Sequence, residues 1–177
     1  QLRIPIRLKS VDATIKFDEI VLVEPGEDGS EFGDDNFFDY VVVEGSKDGG
    51  ITWKSLADGY DSRDHADWFA KFNSGFDNEE FPNSTGQGIP ALYKPRTIDM
   101  ISNGNFVAND VIVIRFRLLT DQLVHGWGWA IDNIKIQIDD VPPMLLHNHF
   151  DYILPSSPTL AITTNVTDNA GVNNLFI

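Results

Sequence analysis

Residues Phe37 to Trp53 read FFDYVVVEGSKDGGITW. Six of the first seven are aromatic or β-branched, which favours an extended strand. The SKDGG that follows supplies a turn: Asp48 can bond nearby backbone N–H groups, and Gly49 and Gly50 are free to take positive φ. Thr52 and Trp53 are then expected to open the return strand, with Trp53 seated in the core. The stretch therefore reads as a β-hairpin, and a chain organised around it reads as antiparallel β.

Working outward, the same signals recur in LRIPIRL (2–8), ATIKFDEIVLVE (13–24), NDVIVIRFRLL (109–119) and WAIDNIKIQI (129–138), separated by turn clusters such as PGEDGS and SNGN. Helix-like apolar spacing occurs over Asp64–Phe72, DHADWFAKF. We expect an all-β fold, an antiparallel β-sandwich of jelly-roll type. The looser stretch from Tyr60 to Asn105 is long for a connection, so it is either functional or a cover laid over one sheet. At Val141-Pro142-Pro143 the character changes, and residues 141–177, ending in TLAITTNVTDNAGVNNLFI, read as a linker and a short β segment. Residues 1–140 are expected to form one module, followed by the opening of a truncated immunoglobulin-like domain.

Composition narrows the function. The 177 residues are 42% hydrophobic, with 12 Phe and 4 Trp, enough to bury a sizeable core. With no cysteine there is no disulfide framework, thiolate metal site or cysteine nucleophile. A formal charge of −14 disfavours phosphate contacts with nucleic acid and binding to an anionic membrane surface, and favours divalent cations or neutral ligands. No apolar run is long enough to span a bilayer. The chain opens at Gln1 directly in strand-like sequence, so we expect a piece of a larger protein.

Between Lys16 and Lys47 there is no Lys or Arg, yet ten carboxylates lie there, seven of them in EPGEDGSEFGDDNFFD, residues 24–39. Charges this dense keep a loop open unless a cation neutralises them, and calcium accepts hard oxygen ligands in flexible geometry. The spacing is not that of an EF-hand. Composition alone leaves a solvated acidic loop and a metal site equally open. Strand alternation adds weight to the metal. Ala130, Asp132, Ile134, Ile136 and Ile138 share one apolar face, and Phe37, Asp39, Val41 and Val43 share another. Each face is interrupted by one carboxylate, and a buried carboxylate requires a partner or a shifted pKa. Arg115 and Arg117 alternate outward. A shared cation would satisfy Asp39 and Asp132 together; the alternative for Asp132 is backbone N–H groups at a strand end.

Catalytic motifs are weak. A glucanase-type E-x-D-x-x-E is missing from FDEIVLVE, where Glu19 and Glu24 are five apart and so on opposite faces of an unbulged strand. No G-x-S-x-G occurs. His147-Asn148-His149 with Asp151 lacks the spacing of a zinc protease and sits in the apparent linker. His125, Trp127 and Trp129 in HGWGW could stack on a sugar ring or plug the end of a core. Asn83-Ser84-Thr85 and Asn165-Val166-Thr167 match the glycosylation pattern.

The order FDEIVLVE, FFDYVVVEGSKDGGITWKSL and VIVIRFRLLTDQLVHGWGWAIDNIKIQ, over about residues 10–138, resembles the cleaved-adhesin or choice-of-anchor J jelly-roll modules, relatives of MAM domains. These occur in large secreted bacterial proteins. The resemblance implies a non-catalytic module that binds calcium through Glu24, Asp34, Asp35, Asp39 and Asp132. It also implies an extracellular setting, secreted or at the cell surface, and partners among neighbouring domains, polysaccharide or a surface protein. The chain lacks the cysteines of MAM domains. The alternative function is a carbohydrate-binding module serving a linked catalytic domain; glycoside hydrolysis ranks last. S-x-D-x-G-x-T-W also resembles the Asp-box of sialidase propellers, but it occurs once, with no repeated blade around it.

Overall fold

The computed structural model describes residues 2, 4–138, 144–147 and 164–167. The chain divides into two compact units, Gln1–Gln137 and Ile138–Ile177. In the first, strands β1 (Ile6–Arg7), β2 (Thr14–Leu22), β3 (Tyr40–Ser46), β4 (Lys54–Ser55), β5 (Lys94–Asp99), β6 (Val111–Leu119) and β7 (Gly128–Ile136) form two antiparallel sheets. One has the order β1-β6-β3-β4 and the other β5-β2-β7. The fold is all-β, with one short α-helix, α1 (Ala66–Phe72), among the described residues.

The sheets share a core because alternate residues of their central strands are apolar. Ile15 and Phe17 of β2 meet Val43 of β3 and Ile112 and Ile114 of β6 in one buried cluster. Toward the end of β2 its other face is also buried: Ile20 and Leu22 join Trp68 of α1 and Leu92. Trp68 is fully buried and donates its indole N–H to the Leu92 carbonyl at 2.8 Å. The long connection between Tyr60 and Asn105 thus acts as a cover over the three-stranded sheet. It also contributes β5, which the sequence concealed. KPRTID is polar and carries Pro95, and it is tolerated because β5 is an edge strand.

Two expectations about strand faces need correction. The return strand of the hairpin starts at Lys54, and Trp53 is half-buried rather than in the core. Its indole N–H bonds the Gly50 carbonyl at 3.0 Å, and the Arg115 guanidinium lies 4.1 Å from the ring centroid. The turn before it is built as read: Asp48 accepts from the backbone N–H groups of Ile51 and Thr52 and from the hydroxyls of Ser46 and Thr52. On β7 the alternation is broken. Lys16 pairs with Lys135 but Asp18 with Asp132, so two steps along β2 face three along β7. The extra residue is a β-bulge, and Asn133 takes it up with φ of 53°. Trp129 and Ile131 pack on the core before the bulge and Ile136 after it, while Asp132 and Ile134 are exposed.

In the second unit β8 (Met144–His147) pairs antiparallel with β9 (Thr164–Thr167), Met144 opposite Thr167. The rest of the expected immunoglobulin-like segment, including the DNAG turn and the His149 and Asp151 side chains, lies outside the described residues.

Candidate metal centre

Three chain segments converge at one end of the two sheets. Leu119 ends β6 opposite Tyr40, which begins β3, so the residues just beyond them, Asp121 and Asp39, are neighbours. Glu24 lies just past the end of β2, in the other sheet. Oxygens of Glu24, Asp39 and Asp121 all lie within 4.8 Å of one another. Asp39 is 1% exposed, as its alternation with Val41 and Val43 requires. Its Oδ1 accepts the Asp121 backbone N–H at 3.0 Å, and its Oδ2 faces the Glu24 N–H at 3.4 Å. Glu24 Oε2 is buried and has no hydrogen-bond partner among the described residues.

Electrostatics here are unfavourable to three anions. Burial pushes the Glu24 carboxyl up to about 7, and the charges of Asp121 and Asp39 add to the effect. Asp39 is also raised, chiefly by burial, although the N–H groups of Asp121 and Glu24 pull it the other way. A buried, unpartnered carboxylate oxygen facing two more carboxylates fits a hard cation held by oxygen ligands.

The expected ligands divide. Glu24 and Asp39 belong to the cluster; Asp34, Asp35 and Asp132 do not. Asp34 and Asp35 are exposed, and Asp34 Oδ2 caps its own turn by accepting the Glu31 N–H at 2.9 Å. The acidic loop that holds them is closed from outside by an arginine. Arg63 donates to the carbonyls of Glu27 and Ser30 and forms an ion pair with Asp61 at 2.7 Å. Asp61, 2% exposed, in turn accepts the Gly26 N–H at 3.0 Å. Asp132, expected to face inward, is turned outward by the Asn133 bulge and accepts the Asn133 N–H. Asp121 was missed. It sits in the plain sequence LLTDQL, and its only signal is an acidic residue just after the strand that pairs with the Asp39 strand.

The three aromatic candidates divide as well. Trp129 belongs to the core: its ring packs edge-on against Phe17 at 6.5 Å, and its N–H donates to Glu19 at 2.8 Å. Glu19 is fully buried between the sheets and also accepts from Tyr60 at 2.8 Å and Arg96 at 2.6 Å. Its carboxyl is raised by burial, against the opposing pull of Arg96. Trp127, by contrast, is 44% exposed, and His125 is exposed beside it. Against protein-family models, curated proteins and solved structures, the chain finds no match.

Proposed function

We propose that residues 1–140 form a non-catalytic, calcium-stabilised jelly-roll module of a larger exported protein, serving adhesion or the placement of neighbouring domains. The observation that carries this reading is the cluster of Glu24, Asp39 and Asp121, with its buried, unpartnered Glu24 oxygen. Calcium would supply the positive charge that burial denies these carboxylates; Glu24, Asp39 and Asp121 are the residues that would hold it. Support also comes from the sequence resemblance to cleaved-adhesin modules, which places such domains outside the cell, where calcium is plentiful. Partners on this reading are the other domains of the same polypeptide, with polysaccharide or a surface protein beyond them.

The test is thermal unfolding with millimolar calcium and with chelator. Saturation at 100 times the dissociation constant contributes about 2.7 kcal/mol. For a protein of this size that raises the melting temperature by roughly 5 to 10 °C. Asp39→Asn and Asp121→Asn should each abolish the rise. An identical melting curve in calcium and in chelator would remove the metal from this account. Turnover of a glycan or peptide by the purified chain would overturn the non-catalytic part.

A further inference from the structure

The HGWGW segment leaves the metal centre and crosses to another part of the cover. The first of its two glycines, Gly126, has no room for a side chain: a Cβ there would sit 2.0 Å from the Leu22 carbonyl oxygen. Gly126 therefore presses inward against the end of β2, while both neighbours, His125 and Trp127, are exposed. Another glycine, outside the segment, seats the indole. A Cβ at Gly88 would lie 2.5, 2.6 and 2.7 Å from Cη2, Cζ3 and Cζ2 of Trp127. Three adjacent ring carbons at nearly equal distance mean that the ring's face, not its edge, covers Gly88. One face is thus backed by main chain, and the other looks to solvent.

His125 is oriented as firmly. Asn83 Oδ1 accepts the His125 backbone N–H at 2.8 Å and lies 2.9 Å from its Nδ1. The Asn83 amide is fixed the right way round, because its Nδ2 donates to Asp77 Oδ2 at 3.0 Å. In the neutral ring Nδ1 must then carry the proton, which leaves Nε2 as a hydrogen-bond acceptor. The same bonds occupy the Asn83 side chain of the N-S-T sequence.

We propose that the outward face of Trp127, with the exposed His125 two residues before it, is a stacking subsite for a pyranose ring of a neutral polysaccharide. An indole held flat offers a rigid apolar surface to the C–H face of a sugar, and the imidazole nitrogen accepts from a hydroxyl. Charge selects against acidic glycans, since the chain carries −14 and Asp121 and Asp77 flank the segment. A cationic peptide is less well served, because among the described residues no second ring faces Trp127 to build a cage around an ammonium group. Trp129 lies in the core and takes no part. The subsite shares its loop with Asp121 and rests on the module reading above, but its recognition chemistry does not use the metal.

The experiment is affinity electrophoresis of the whole chain in gels containing hydroxyethylcellulose, arabinoxylan or galactomannan, with polygalacturonate and poly-lysine as charged comparisons. Retardation by at least one neutral polymer is expected. Trp127→Leu, which still fills the place over Gly88, should weaken it at least tenfold, and His125→Ala should weaken it severalfold. Melting curves of both variants report whether they remain folded, and Trp127→Phe, which keeps a ring, should retain more binding than Trp127→Leu. No retardation by any neutral polymer, equal retardation of Trp127→Leu, or retention by poly-lysine alone would overturn the proposal. The calcium-dependent melting shift, measured on the same samples, separates the two readings. A shift without glycan binding sinks only the subsite, and glycan binding without a shift sinks only the metal.

Discussion

At the residue scale, Glu24 has the most to say. Its carboxyl is held near 7, above the ordinary value of 4.5, because it is buried beside two other acids. The folded state therefore binds a proton more tightly than the unfolded chain does, and this contribution is fully present below pH 4.5. It is lost as pH rises through about 7. Asp39 is raised too and acts in the same direction. The lowered carboxyls, Asp48, Asp67, Asp77 and Asp110, act in the opposite direction, but only as pH falls below their ordinary 3.8. In calcium-free buffer the melting temperature is thus expected to fall between pH 5 and pH 7, and Glu24→Gln should make the fall shallower. A wild-type curve that is flat or rises across that window would contradict this assignment. Saturating calcium should offset the fall, since the bound cation replaces the proton.

At the scale of elements, the acidic loop between β2 and β3 owes its closure to Arg63. The guanidinium bonds two loop carbonyls, stands over the Phe37 ring at 5.1 Å and neutralises Asp61. Arg63→Ala would leave a buried carboxylate without its cation, a loss of about 3 kcal/mol. The loop should then become the first site of limited proteolysis, with cleavage between Glu27 and Asp35. A proteolysis pattern unchanged from wild type would show that the loop is closed by something else. The same elements show how far the sequence could be read. Strands β2, β3 and β6 were legible because alternation and β-branched residues govern them, and Asp39 followed from that alternation. The face of β7 was not, because one residue with positive φ, Asn133, reverses the parity that placed Asp132 inward. Asp121 and Arg63 were hidden for another reason: their roles depend on segments 82 and 36 residues away, a proximity that only the folded sheets create.

On the scale of the whole molecule, the two sheets are joined by their apolar core and by a small number of polar links. Glu19 on β2 is one, buried between the layers and tied to Tyr60. The proposed cation would be another, and its position matters more than its strength. Glu24 extends from the three-stranded sheet, whereas Asp39 and Asp121 extend from the four-stranded one. A tether at that margin resists sliding of one layer over the other, a motion that the apolar core opposes only weakly because burial is non-directional. If, as proposed, the module is strung between other domains, tension enters at β1 of the four-stranded sheet and leaves at β7 of the three-stranded one, so it loads one layer against the other. Single-molecule pulling should find a higher unfolding force in calcium than in chelator, and Asp121→Asn should show the lower force in both. Calcium concentration would then set how much load the module bears before it yields.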